Sequence, residues 1–210
     1  MNTIITKKVR LIPAPFVGTR IRIKLDDPES LTWGMNHLTL ADGHDKAIID
    51  WGDGRTDELA ASGALTHNFA SVGEYMVRVS DDIISLRCSI KSDKSAFKTI
   101  YAPMIREFRT NATHLNNILS ACFYAAENLS IVSCKGSGLM TLHTLALANC
   151  PSLAGRLDLP GISYLYATTL SESLGITELH FSKANEEEIT ALSGFDTAFG
   201  ALNAVIVFDL

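Results

Sequence analysis

The chain has 210 residues, 47% of them hydrophobic and 20% charged, enough apolar side chains for one large domain or two small ones and too many for a disordered chain. Its formal net charge of -5 is mild and argues against nonspecific nucleic-acid binding, which needs a basic face to displace counterions, so nucleic acid is not an expected partner. It has no apolar run of about 18 residues, so no membrane span is expected.

The N-terminal MNTIITKKVRLIPAPFVG is broken by Lys7, Lys8 and Arg10 before a signal-peptide core can form, so no signal peptide is visible. These cations, and Lys91, Lys94 and Lys98, read as solvated faces or a linker. TRIRIKL then alternates strictly, with Ile21, Ile23 and Leu25 on one side and Arg20, Arg22 and Lys24 on the other. KAIIDW is a short apolar run ending at Trp51. EYMVRVS repeats the period of two with Tyr75, Val77 and Val79 inward, and IISLRCSI does so with Ile84, Leu86, Cys88 and Ile90. Turn clusters LDDPES, LADGHDK, WGDGRTD and ASVGE separate these runs. Short strands with turns between them predict an all-β sandwich over residues 1–92.

In IIDWGDGR, the strand ends in Trp51, glycines turn the chain, and Asp53 is placed to accept bonds from local backbone amides. Downstream, His67 and Phe69 begin a strand, Gly73 turns it, and Tyr75 opens the next. Trp51, Gly52, Asp53 and Gly54, followed by His67, Phe69, Gly73, Tyr75, Val77 and Val79, resemble the polycystic kidney disease (PKD) type of immunoglobulin-like domain. Phe69 stands where that family usually has tyrosine. The resemblance implies a structural role for the motif, in a spacer or binding module of a surface protein, and no catalytic role. Asp50, Asp53 and His67 also offer the residue types for acid/base work or a weak calcium site, which makes a cryptic hydrolase the alternative of least weight.

After KSDKSAFK the pattern changes. LHTLALANC places Leu142, Leu145, Leu147 and Cys150 in an L-x-x-L-x-L-x-x-C unit. Further units begin at Ile162, Ile176 and Leu202, with weaker copies from Ile105 and Ala126. The starts at 142, 162, 176 and 202 are separated by 20, 14 and 26 residues. These units resemble degenerate bacterial leucine-rich repeats of the surface-protein type, which implies a β/α solenoid over residues 93–210, capped on its N-terminal side by the sandwich. The same segments also admit a plain α/β domain. NEEEITALSG predicts a helix with Asn185 as N-cap, Glu188 three residues on and Gly194 as its stop.

The cysteines, Cys88, Cys122, Cys134 and Cys150, form no C-x-x-C pair and read as buried thiols, with one disulfide open to an extracellular chain. No P-loop, dinucleotide fingerprint, nucleophile elbow or H-E-x-x-H is present, so no cofactor and no metal are expected. A repeat scaffold without a catalytic constellation points to a non-enzymatic, adhesion-type module that recognises a protein or glycan through the exposed strand face. His143, Thr144, Tyr164, Tyr166 and His180 are the candidate contacts, since tyrosine and histidine join apolar area to a hydrogen-bonding group. The family resemblance implies a cell-surface or extracellular setting. The alternative is a structural component of a larger assembly, such as a cell envelope or phage particle.

Overall fold

The computed structural model describes residues 16–29, 31–88, 102–192 and 202–209. The expected boundary between residues 92 and 93, the two lysine-rich clusters, Ile90 and Gly194 lie outside them.

The first half supplies seven strands: β1 (Gly18–Leu25), β2 (Thr32–Leu40), β3 (Ala47–Asp50), β4 (Thr56–Leu59), β5 (Gly63–Asn68), β6 (Gly73–Ser80) and β7 (Ile83–Arg87). The second half supplies β8 (Ile105–Thr110), β9 (Asn117–Ile118), β10 (Ile131–Ser133), β11 (Thr141–Leu142), β12 (Gly155–Leu159), β13 (Tyr164–Leu165), β14 (Ile176–Ser182), α1 (Glu186–Thr190) and β15 (Val205–Asp209). They build one sheet in the order β10-β8-β1-β6-β3-β4, a second in the order β13-β11-β9-β7-β2-β5, and a third of β12-β14-β15. The chain is therefore mostly β, and its second half winds as a β-solenoid of about four turns.

Alternation in β1 works as the sequence implies: Ile21, Ile23 and Leu25 are buried, while Arg20, Arg22 and Lys24 stay partly exposed. In β6, Val77 and Val79 are fully buried and Tyr75 packs at the core margin. In β7 the expected parity slips. The β2–β7 register pairs Thr39 with Ser85 and Leu40 with Ile83, leaving Ile84 as an extra residue. This bulge turns Ile83 into the core and leaves Ile84 half-buried. β2 carries three consecutive buried residues, Trp33, Gly34 and Met35, so it shows no alternation.

The solenoid's true period differs from the spacing of the sequence units. Asn117, Thr141 and Tyr164 pair in parallel register, which gives steps of 24 and 23 residues. The longer strands β8, β10, β12, β14 and β15 line one face, and the two-residue strands β9, β11 and β13 line the other. The sequence units starting at 142 and 162 belong to one face and those at 176 and 202 to the other, which explains their uneven spacing. Among the described residues, two-residue strands rather than helices lie opposite the long strands at β9, β11 and β13, in contrast to the expected β/α pattern, and only the short α1 between β14 and β15 is α-helical. Instead, the corners after β9, β11 and β13 hold left-handed residues four apart: Ala121 and Ala125, Leu145 and Asn149, Thr168 and Glu172. Such backbone breaks α-helical continuation, and bonds between coils hold it, from the Phe123 N–H to the Ala146 carbonyl at 2.9 Å and from Leu147 to Thr169 at 2.9 Å.

Inside the corners, Cys122, Ala146 and Thr169 stack at one position and Ala126, Cys150 and Ser173 at another, all buried. The Ser173 hydroxyl satisfies itself between coils, donating to the Leu147 carbonyl at 2.7 Å and accepting the Cys150 N–H at 3.0 Å. All four cysteines are buried and unbridged. Burial pushes the Cys134 and Cys150 thiols up to about 12, so neither is a ready nucleophile. The expected helix is a single short turn, α1. Asn185 does not cap it through its side chain; its amide donates to the Ile162 carbonyl at 3.0 Å, and Ser182 caps the preceding 3-10 turn.

Close coil stacking makes Gly138 irreplaceable: a Cβ there would sit 2.0 Å from the Thr113 carbonyl oxygen. Gly138→Ala is expected to lower stability by about 1–3 kcal/mol in chemical denaturation. Exposed Glu172, held at φ 62°, carries the opposite expectation. Glu172→Gly relieves backbone strain that exceeds the added unfolded-state entropy, and should raise stability by about 0.5–1 kcal/mol in the same assay.

Candidate functional site

The WGDG stretch is the end of β3 and the turn into β4. Gly52, at φ 82°, lies where a Cβ would meet the Met76 carbonyl oxygen at 2.7 Å, and Gly54 has φ 90°. Trp51 is fully buried and its indole N–H donates to Asp57 at 2.7 Å. His67 stacks on Trp51 with ring centroids 4.9 Å apart, and Phe69 and Trp33 meet the same indole edge-on. Tyr75, placed by the turn at Gly73, packs on Phe69 and donates its hydroxyl to the Ser71 carbonyl at 2.8 Å.

Asp53 accepts the Arg55 N–H at 3.0 Å through one oxygen and the His67 Nε2–H at 2.9 Å through the other. Asp50 turns elsewhere, accepting from the Gly52 N–H and from Arg78. The three residues considered for acid/base work thus do not converge on one point. Asp53 and His67 tie a turn to strand β5 and cover the end of the aromatic core. Burial pushes the Asp53 carboxyl up, but the bonds from His67 and the Arg55 backbone, with the nearby charges of both, outweigh it and hold the carboxyl below its ordinary value.

The five predicted contact residues fall on two faces. Four lie along the short-strand face. Asn117, Thr141 and Tyr164 are adjacent outward residues of β9, β11 and β13, with His143 and Tyr166 just beyond the strand ends. His143 stacks on Tyr166 at 4.6 Å and an interplanar angle of 11°, and Tyr164 meets Tyr166 edge-on at 4.9 Å. Tyr164 is 43% exposed, Tyr166 40% and the neighbouring Met140 46%. Burial lowers the His143 pKa, so its ring is neutral at pH 7 and extends the aromatic surface. Thr144 sits in the corner turn, where its carbonyl accepts the Ala121 N–H.

His180 is on the opposite face, in β14. Its side chain is 8% exposed, with Asp209 at 2.6 Å from Nδ1 and Glu178 at 2.9 Å from Nε2. Arg156 joins the set through Asp158 at 2.6 Å and Asp209 at 3.3 Å. The bonds to Glu178 and then Asp209 raise the His180 pKa against burial and the repulsion of Arg156. A cleft of about 450 Å³ opens here, bordered by Lys135, Arg156, Asp158, His180, Phe181 and Asp209. Asp158, His180 and Asp209 each bring a ligand atom within 4.8 Å of the others. A divalent cation there would have to displace Arg156 from both carboxylates and a proton from His180.

None of Arg156, Asp158, Glu178 and Asp209 was singled out from sequence. They lie on three strands whose parallel register sets Asp158 beside His180 and Arg156 beside Glu178. No helix among the described residues is long and apolar enough to cross a membrane. No protein-family model, curated protein or solved structure matches the chain.

Asp53→Ala is expected to cost about 1–3 kcal/mol near neutral pH, because it leaves a buried His67 donor unpaired. A depressed carboxyl stabilises the fold above its unfolded value and loses that contribution as pH falls through the folded value. The gap between parent and variant should therefore close below about pH 4 in pH-dependent denaturation. For His180 the sign reverses. Its raised pKa stabilises fully below the unfolded value of about 6.5 and fades as pH rises through the folded value. The melting-temperature gap between parent and His180→Gln should be largest near pH 5.5 and shrink toward pH 9.

Proposed function

We propose that the chain is a non-enzymatic binding module that engages a protein or glycan through the short-strand face of its solenoid. One observation carries this reading: His143, Tyr164 and Tyr166 form a stacked, half-exposed aromatic surface on a regular scaffold, with Met140 beside it. Aromatic rings held by neighbouring rings lose little side-chain freedom on binding and offer both apolar area and hydroxyl groups. In this reading the N-terminal strands are a PKD-like immunoglobulin-type sandwich, the coils are a degenerate leucine-rich-repeat relative, and the setting is a cell surface. His180 belongs to the opposite face and is not part of this contact set.

A second reading, a structural component of a larger assembly, is favoured by β15. This outermost strand of the third sheet has Val205 63% exposed, and its outer edge has no strand partner among the described residues, which suits pairing with another chain.

Screening the protein on a glycan array and a panel of surface and matrix proteins tests the first reading. Tyr164→Ala with Tyr166→Ala should weaken the best interaction about tenfold or more, with little change in melting temperature. Undiminished binding by the double variant would remove the aromatic face as the contact. Concentration-dependent assembly in sedimentation velocity, lost on Val205→Lys, with no hit on either panel, would support the second reading instead.

A further inference from the structure

The first sheet places three arginines side by side. In β1, Arg20 is directly opposite Arg78 of β6 on one side and Arg109 of β8 on the other. Like charges directly opposite in a sheet are destabilising, and the neighbouring outward rows avoid this. Lys24 faces Glu74, and Arg22 faces Glu107, with which it pairs at 3.4 Å. In the arginine row, Arg78 is answered by Asp50 at 2.8 Å. Arg109 has Glu107 at 3.1 Å, a carboxylate that it shares with Arg22. Arg20 has no carboxylate partner among the described residues; it donates to the Phe16 carbonyl and lies 5.2 Å from the Phe16 ring centroid.

The row ends in a concavity. Ser133 of β10 is the register partner of Arg109, and a cleft of about 210 Å³ is bordered by Arg20, Arg109, Ser133, Lys135, Thr110 and Asn111. Lys135 has no hydrogen-bond or ion-pair partner among the described residues. It borders both this cleft and the larger one beside Arg156 and His180, so the two clefts adjoin. In a chain of net charge -5, three cations thus converge on a hollow large enough for one oxyanion group.

We infer that Arg20, Arg109 and Lys135 form an oxyanion site that takes a carboxylate or sulfate group carried on a sugar. The body of the sugar lies over the adjoining larger cleft. Two guanidinium groups held across a strand pair suit a planar or tetrahedral oxyanion, and Lys135 adds a point charge at the rim. The larger cleft offers what a polyhydroxylated body needs: donors and acceptors from exposed Arg156 and Asp158, and an apolar surface from exposed Pro160. A bound anion also offsets the like-charge repulsion within the row. The site is on the opposite side of the solenoid from the aromatic surface and stands or falls independently of it.

The test titrates sodium sulfate, a galacturonic-acid trisaccharide, a sulfated galactose trisaccharide and the neutral galactose trisaccharide into the protein at matched ionic strength. Binding is followed by calorimetry and melting temperature. Sulfate and at least one charged trisaccharide should bind, the neutral one should not, and the tighter charged sugar identifies the source of the anion. Arg20→Gln should weaken both charged ligands about tenfold or more, while leaving the melting temperature in chloride unchanged or higher, because it removes like-charge repulsion. Lys135→Ala, at the rim, should weaken binding several-fold without a stability change. Equal binding by the Arg20→Gln protein, equal binding of the neutral sugar, or a marked loss of stability for Arg20→Gln in chloride would each overturn the assignment. Were Arg20→Gln unable to fold, undiminished binding by Lys135→Ala would do so alone.

Discussion

Two strand pairings carry the rest of the architecture: β1 with β8, antiparallel, and β7 with β9, parallel. Each joins a strand of the first half to the first coil of the second. A solenoid's end rung otherwise exposes a row of backbone donors and acceptors together with its apolar interior. Here the rung continues the existing sheets, and Ile21, Phe108, Leu86 and Ile118 belong to one unbroken core. The β6–β7 hairpin adds a polar clasp. Asp81 accepts from the Thr113 hydroxyl at 2.6 Å and the His114 N–H at 3.0 Å, which fixes the chain as it enters β9. The coils thus begin in a defined register, which the two faces inherit.

That dependence explains which parts of the fold are readable from sequence. Strict alternation in β1 and β6 reports one covered and one wet face, and the buried sets follow it. β2 escapes because Trp33, Gly34 and Met35 are all buried, and β7 misleads because a bulge at Ile84 reverses the parity. In the coils, β9, β11 and β13 are two residues long, too short to show a period. Their corners use Ala, Leu, Asn, Thr and Glu at positive φ, where turn-reading relies on glycine. The recurrence of apolar residues is visible; the alternation of a long and a short strand within each coil is not.

The candidate sites follow the same logic. Tyr164, Tyr166 and His143 stand out by residue type, and coil stacking brings His143 onto Tyr166 because the two are one repeat of 23 residues apart, with Tyr164 two residues before Tyr166 in the same coil. His180 carries the same chemical promise but sits on the other face, since β14 belongs to the long-strand set. The arginine row lies wholly beyond sequence reading. Arg20, Arg78 and Arg109 are 58 and 31 residues apart, and only the strand order β8-β1-β6 makes them neighbours.

The two solenoid faces treat the same side chain in opposite ways. His143, half-buried against Tyr166 and with the Asn117 amide oxygen at 3.4 Å from Nε2, is driven by partial burial toward the neutral ring. His180, between the carboxylates of Glu178 and Asp209, is driven toward the imidazolium. The difference comes from the outward neighbours that parallel register supplies: aromatic and amide groups on one face, acids and arginine on the other. An uncharged aromatic surface selects partners by shape and apolar contact, and its affinity should depend weakly on salt. The charged face is screened by salt and answers to the charge of whatever approaches it. One short stack of coils therefore presents two surfaces of different physical character, held back to back by a single core.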